Sequence, residues 1–272
     1  MITAEEKARY TDRLEKYQSE IDRLISREKT ILSLVKKDEV TAAYQYLVLA
    51  EDMICLATMH LAKHKLSLTL LKSKNEVSLN DARKALYKSI IYLENIVTDL
   101  IDAPFSDYKD KVVRIANIGL KERYYLIRKL GLAIDMVVDA YGDNTKWRWS
   151  FVELQGRFAT ISKNIIDLKD TTENGLDPHS PDYETAVFHL RLTKKLLQQA
   201  ADQYREKYEI ATSGSTSDDF KRAITYLNAL RRLHLILNEH NDADEVKRKV
   251  GIWQEKLEKD AKKREERRKR TS

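Results

Sequence analysis

Residues 38–64, DEVTAAYQYLVLAEDMICLATMHLAKH, constrain this chain more than any other stretch. Ala42, Ala43, Tyr46, Leu47, Leu49, Ala50, Met53, Ile54, Cys55, Ala57, Met59, Leu61 and Ala62 occupy nearly every side of a helical wheel. A helix that is apolar all round is buried by neighbours on several sides. The chain must therefore supply other helices to surround it. Turn-forming residues are scarce, with 7 Gly and 3 Pro in 272 residues, which excludes a fold of many short strands. Charged residues make up 34% of the sequence, as long solvated helix faces require.

The expected architecture is all-α: about eight helices, several of them long, in an elongated bundle. Residues 1–172 form the N-terminal long-helix bundle in this reading, residues 173–261 a C-terminal helical lobe and residues 262–272 a basic tail. The first helix starts after Thr3, whose hydroxyl and Glu6 have capping-box spacing. Its apolar positions, Tyr10, Leu14, Tyr17, Ile21, Leu24, Ile31 and Val35, make a coiled-coil-like seam interrupted by Glu28. That seam suits either a hairpin with the next helix or a dimer. Asp38 is the expected cap of the central helix. Ser78 or Asn80 caps a third helix running to about Asp102, before Pro104. A fourth helix is predicted from Ser106 to Tyr141, with Gly119 and Gly131 inside it and Gly142 ending it. It looks as apolar all round as residues 38–64. A fifth runs from about Lys146 to Lys169. Gly175, Pro178 and Pro181 then form the strongest turn signal, placing the main boundary at residues 171–181. Three further helices follow, over about 181–212, 218–239 and from about 242 onward. The first two are separated by SGSTS, Ser213 to Ser217. No residue pattern recurs at a fixed period, so a tandem-repeat solenoid is not expected.

Net charge is +6, but the last twelve residues carry seven Lys/Arg against two Glu, a net of +5, which leaves +1 for residues 1–260. The basic character belongs to a tail. The single cysteine, Cys55, rules out an intramolecular disulfide and reads as a small core residue. No signal-peptide pattern and no long uninterrupted apolar run is present, so a cytoplasmic protein without a transmembrane segment is expected.

Catalytic motifs are missing. His60 and His64 share a helix face, but HLAKH lacks the glutamate of a zinc-protease motif, and no Glu-x-x-His occurs. No metal, cofactor or catalytic residue is assigned. Glu51 and Asp52, with Asp135 and Asp139, are paired carboxylates within the two most apolar helices. They support a weaker reading as an enzyme or small-molecule site between those helices. The segment TKWRWS alternates Trp147 and Trp149 with Lys146 and Arg148, suiting either a plug at a bundle end or a partner anchor. Arg123 and Tyr124, in a run that continues to Arg128 and Lys129, could add donors. The partner-binding candidates are thus Trp147, Trp149, Arg148, Tyr124 and Arg123. The tail residues Lys262, Lys263, Arg264, Arg267, Arg268, Lys269 and Arg270 are candidates for anion binding, with no aromatic among them to stack on bases. The leading functional expectation is a non-enzymatic interaction or scaffold protein that binds a protein partner or itself. A nucleic-acid-associated factor using the tail is the alternative.

Overall fold

A computed structural model describes residues 3–38, 41–210 and 217–271. Within the helices, the side chains of Ala4, Arg264, Arg267, Arg268, Arg270 and Thr271 lie outside the description. So do residues 211–216, which hold the end of the expected sixth helix and nearly all of the SGSTS loop. The described residues are all-helical, with no strand among them. They form ten α-helices and one 3-10 turn, where the sequence predicted about eight.

The extra helices arise where two predicted helices break. Instead of one helix over 106–141, Phe105–Asp107 is a 3-10 turn, α4 is only Lys109–Val113, and α5 runs Leu120–Tyr141. Gly119 is the N-cap of α5, in extended backbone, and not an internal glycine. The buried guanidinium of Arg123 fills the break. Its Nη2 and Nε donate to the carbonyls of Ile115 (2.9 Å) and Ile118 (2.8 Å), and its Nη1 donates to the Ile165 carbonyl (3.1 Å). Carbonyls satisfied by a side chain have no need of a continuous backbone ladder. The fifth predicted helix breaks at the same place. α6 spans Arg148–Asn164 and α7 spans Leu168–Leu176, with the Arg123 acceptor Ile165 between them. Asn164 Nδ2 donates to the Thr98 carbonyl (2.8 Å) just beyond α3. Gly175 lies inside α7, so the turn signal takes effect only after Leu176.

The chain divides into two compact units. The first comprises Met1–Thr98, Tyr108–Arg148 and Asn164–Asp167. The second comprises Asp99–Asp107, Trp149–Lys163 and Leu168–Ser272.

In the first unit, α1 (Ala4–Val35) begins with the expected capping box: Glu6 N–H donates to Thr3 Oγ1 (3.1 Å) and Thr3 N–H to Glu6 Oε2 (2.8 Å). α2 (Ala42–Leu71) is the apolar stretch and contacts α1, α3 and α5. Its N-cap is Thr41, not Asp38. α3 (Glu76–Ile96) is capped by Asn75, whose Oδ1 accepts from Ser78 N–H (3.0 Å), in place of the expected Ser78 or Asn80. Cross-links Lys63–Gln18 and Arg27–Asp52 run α1 antiparallel to α2, and the Ser89 hydroxyl donates to the Ala50 carbonyl (2.9 Å) between α3 and α2. Glu28, the interruption in the α1 seam, is 6% exposed. It accepts from Lys88 Nζ at 2.9 Å on both oxygens and from Tyr92 Oη at 2.5 Å. At this level the seam is therefore intramolecular. α5 is one-sided, with Leu132 62% exposed and Tyr125 50%, so of these two helices only α2 is buried on several sides.

The second unit is held by α6, α7, α8 (Tyr183–Ile210), α9 (Ser217–Ile236) and α10 (His240–Thr271). Aromatic rings stack through it: Tyr204 on Tyr226 (5.6 Å between centroids), Tyr208 on Phe220 (4.7 Å) and Phe220 on Trp253 (5.7 Å). α6 joins through Gly156. A Cβ there would stand 2.6 Å from Tyr226 Oη and 2.9 Å from Tyr204 Cε2. Ser162 and Thr193 share a buried hydroxyl contact (2.8 Å), and His189 Nε2 lies 3.1 Å from the Ser162 carbonyl.

Candidate functional site

The candidate site lies in the first unit, where α5 ends and the chain turns into α6. Gly142 at φ +79° ends α5 in a backbone conformation that favours glycine. Trp147 follows, half-buried, with its backbone N–H donating to Thr145 Oγ1 (3.2 Å). Over its ring lies the Arg83 guanidinium of α3, 4.0 Å from the centroid, and Lys146 Nζ stands at 5.4 Å. Arg83 also reaches Asn80 Oδ1 (2.9 Å) and lies 5.8 Å from the Tyr87 ring. Lys74, in the α2–α3 turn, donates to the Tyr141 carbonyl (3.2 Å) and stands 5.7 Å from that ring. Burial raises the Tyr141 phenol pKa, while the neighbouring Arg83 acts in the opposite direction. Lys74, Lys146 and Arg148 are exposed. The result is a half-buried indole clamped by one cation and flanked by others, with an energy of about 0.5–2 kcal/mol per cation–π contact depending on solvation.

Within the first unit, Arg123 and Tyr124 lie apart from Trp147 and Arg148. Trp147 and Arg148 belong to the first unit, and the half-buried Trp149 belongs to the second. Arg123 and Tyr124 sit at the start of α5, whereas Trp147 follows its end; the 22 residues of α5 span about 33 Å. Arg123 is buried with its donors on three carbonyls, and the buried Tyr124 Oη accepts from Arg128 Nη1 (3.1 Å). Arg83, Lys74, Tyr87 and Tyr141 escaped sequence reasoning. The one local signal was Arg83 four residues before Tyr87 on a helix.

Other candidate chemistry is dispersed. Asp52 is buried, with its carboxyl pKa raised by burial, and pairs with Arg27 of α1 (3.2 Å). Glu51 pairs on the surface with Lys129 (3.0 Å), and Asp135 and Asp139 are exposed on α5. His64 Nδ1 accepts from the Asn75 N–H (3.2 Å), which makes it part of the α2–α3 turn. Burial lowers the pKa of both His60 and His64. Cys55 is half-buried, and burial raises its thiol pKa, away from reactivity. In the second unit, ligand atoms of His234, Glu239 and Asp242 lie within 4.8 Å of one another and could hold a metal ion. Lys194 stands 2.7 and 3.0 Å from the Glu239 carboxylate and already balances its charge. Lys163 is also in this unit. Burial lowers its pKa to about 8, opposed by nearby Asp102, and its ammonium donates to the Ala103 carbonyl (3.2 Å). Of the tail, Lys262, Lys263 and Lys269 are exposed on α10, while the side chains of Arg264, Arg267, Arg268 and Arg270 lie outside the description.

These features define an all-helical protein in which no described helix is long and apolar enough to cross a membrane. The chain belongs to the TP0443 family, whose profile matches residues 6–261. No curated protein matches its sequence. Among solved structures, it is similar to a DHF58 filament at 14% identity and a TM-score of 0.39, covering 92% of this chain and 97% of that one. It is also similar to a chain from the computational design of self-assembling cyclic protein homooligomers, at 12% identity and a TM-score of 0.31, covering 92% and 99%. Likeness at this level carries no argument about assembly.

Proposed function

We propose that the protein is a non-enzymatic helical interaction protein that docks an acidic segment of a protein partner on the Trp147 face of its first unit. The observation that supports this is the Arg83–Trp147 clamp, with Lys74, Lys146 and Arg148 exposed around it. Trp and Arg dominate binding energy at protein interfaces, because each offers a large apolar area with a polar handle. Exposed cations at the rim steer an acidic partner and fix its register. The scaffold part of the reading rests on length: α1, α2, α8 and α10 have 32, 30, 28 and 32 residues. A cytoplasmic setting is part of the same proposal.

Amine cross-linking of the full chain in its native host, followed by mass spectrometry, tests it. One partner should cross-link repeatedly at Lys74 and Lys146 and be lost from Lys146→Glu/Arg148→Glu chains. The absence of any specific partner and of any self-association would sink the proposal.

A further inference from the structure

The densest charge in the chain has no part in either unit's core. α10 packs on α9 and is bonded to α8 as far as Asp260, whose Oδ2 accepts from Tyr208 Oη (3.0 Å). The helix continues past that contact to Thr271. The described side chains beyond it, at positions 261, 262, 263, 265, 266 and 269, are exposed. Seven Lys/Arg and two Glu occupy residues 262–270, and no apolar residue follows Ala261. The one described ion pair there is Lys269–Glu265 at 2.7 Å.

Three features narrow the ligand. First, a helix that lies in a membrane interface needs an apolar side to bury, and these residues have none. Second, the arm contains no aromatic residue, so it offers no platform for stacking on unpaired bases. Third, its charge density matches a polyelectrolyte. Nine helical residues rise about 13 Å, along which the arm carries a net of +5. Over the same length a nucleic-acid duplex carries roughly eight phosphate charges. The helix is already formed, so binding orders side chains only and not the backbone. We infer that residues 262–270 form a helical arm that binds the phosphate backbone of double-stranded nucleic acid without reading its sequence.

The family profile ends at residue 261, immediately before the arm. The arm can therefore be removed without touching the region that defines the family, and its test is independent of the Trp147 face. Binding of the full chain to a mixed-sequence duplex of about 30 base pairs is followed by fluorescence anisotropy between about 50 and 200 mM salt. Releasing about five counterions predicts a slope of log K against log salt near −4.5, hence a loss of several hundred-fold over that range. A scrambled duplex should bind equally well. A chain ending at Ala261 keeps the Asp260–Tyr208 bond and should lose both the affinity and the slope. The full-length variant Lys262→Gln/Lys263→Gln/Arg264→Gln/Arg267→Gln/Arg268→Gln should do the same. A flat salt dependence, or undiminished binding by either variant, overturns the inference. So does tighter binding, at equal salt, to phosphatidylserine vesicles or polyglutamate than to the duplex.

Discussion

The two units solve the burial problem with different chemistry. The first buries charge and pairs it: Glu28 with Lys88 and Tyr92, Asp52 with Arg27, and Arg123 with three carbonyls. The second, Lys163 apart, buries mainly rings and small hydroxyls: the Tyr204–Tyr226 and Tyr208–Phe220–Trp253 stacks, and Ser162 against Thr193. Directional polar contacts tolerate small volume errors but not the loss of a partner. Close-packed rings tolerate little added volume. The first unit should therefore be sensitive to deleting a polar group, and the second to adding a carbon.

Hydrogen exchange, resolved helix by helix, can break this comparison. The largest effect is expected for Arg123→Ala, which removes the side-chain donor of the Ile115, Ile118 and Ile165 carbonyls and should destabilise by about 3–5 kcal/mol, although Ile115 keeps its bond from Ile118 N–H. Exchange should rise in α5 and the preceding turn while α8 and α9 keep their protection. Glu28→Ala comes next, at about 2–3 kcal/mol. It orphans the Tyr92 hydroxyl, but Lys88 is half-exposed and can turn to water. Near-normal exchange in α1 and α3 of that variant would mean the buried acid holds nothing together. Gly156→Ala should lose about 1–2 kcal/mol, the clash with two stacked rings outweighing the better helix propensity of alanine. Protection should fall in α8 and α9 and stay unchanged in α1–α3.

The last effect is a slope. The Lys163 pKa is lowered in the fold to about 8 from an ordinary 10.5. Between those values the unfolded chain binds more protons than the folded one, so stability should rise with pH across that window. Below pH 8 the penalty for burying the charge is fully present. Lys163→Met should flatten the rise; an unchanged slope would place its origin in other groups.

Much of this fold was legible because it is local. The Thr3–Glu6 box, the end of α5 at Gly142 and the burial of Leu49, Ala50, Met53 and Ala57 within the apolar stretch 38–64 each follow from residues within a few turns. The breaks at 114–119 and 165–167 were not, because the arginine that bridges them reaches acceptors up to 42 positions away. Gly119 looked like a tolerated interior glycine for the same reason. The candidate site was half legible. Trp147 stood out by composition, but its clamp comes from Arg83, and no sequence pattern couples positions 64 apart. Arg123 was noticed for its charge, while its surroundings make it a buried bridge between loops.

Glu28 has a further consequence for how α1 can move. Sliding α1 by one heptad would carry that carboxylate about 10.5 Å along the axis, away from its Lys88 and Tyr92 donors. The acid therefore works like a key in a keyway. Sliding like a piston would break its bonds to Lys88 and Tyr92, and a swapped α1 from another molecule would meet the same two donors in a single register.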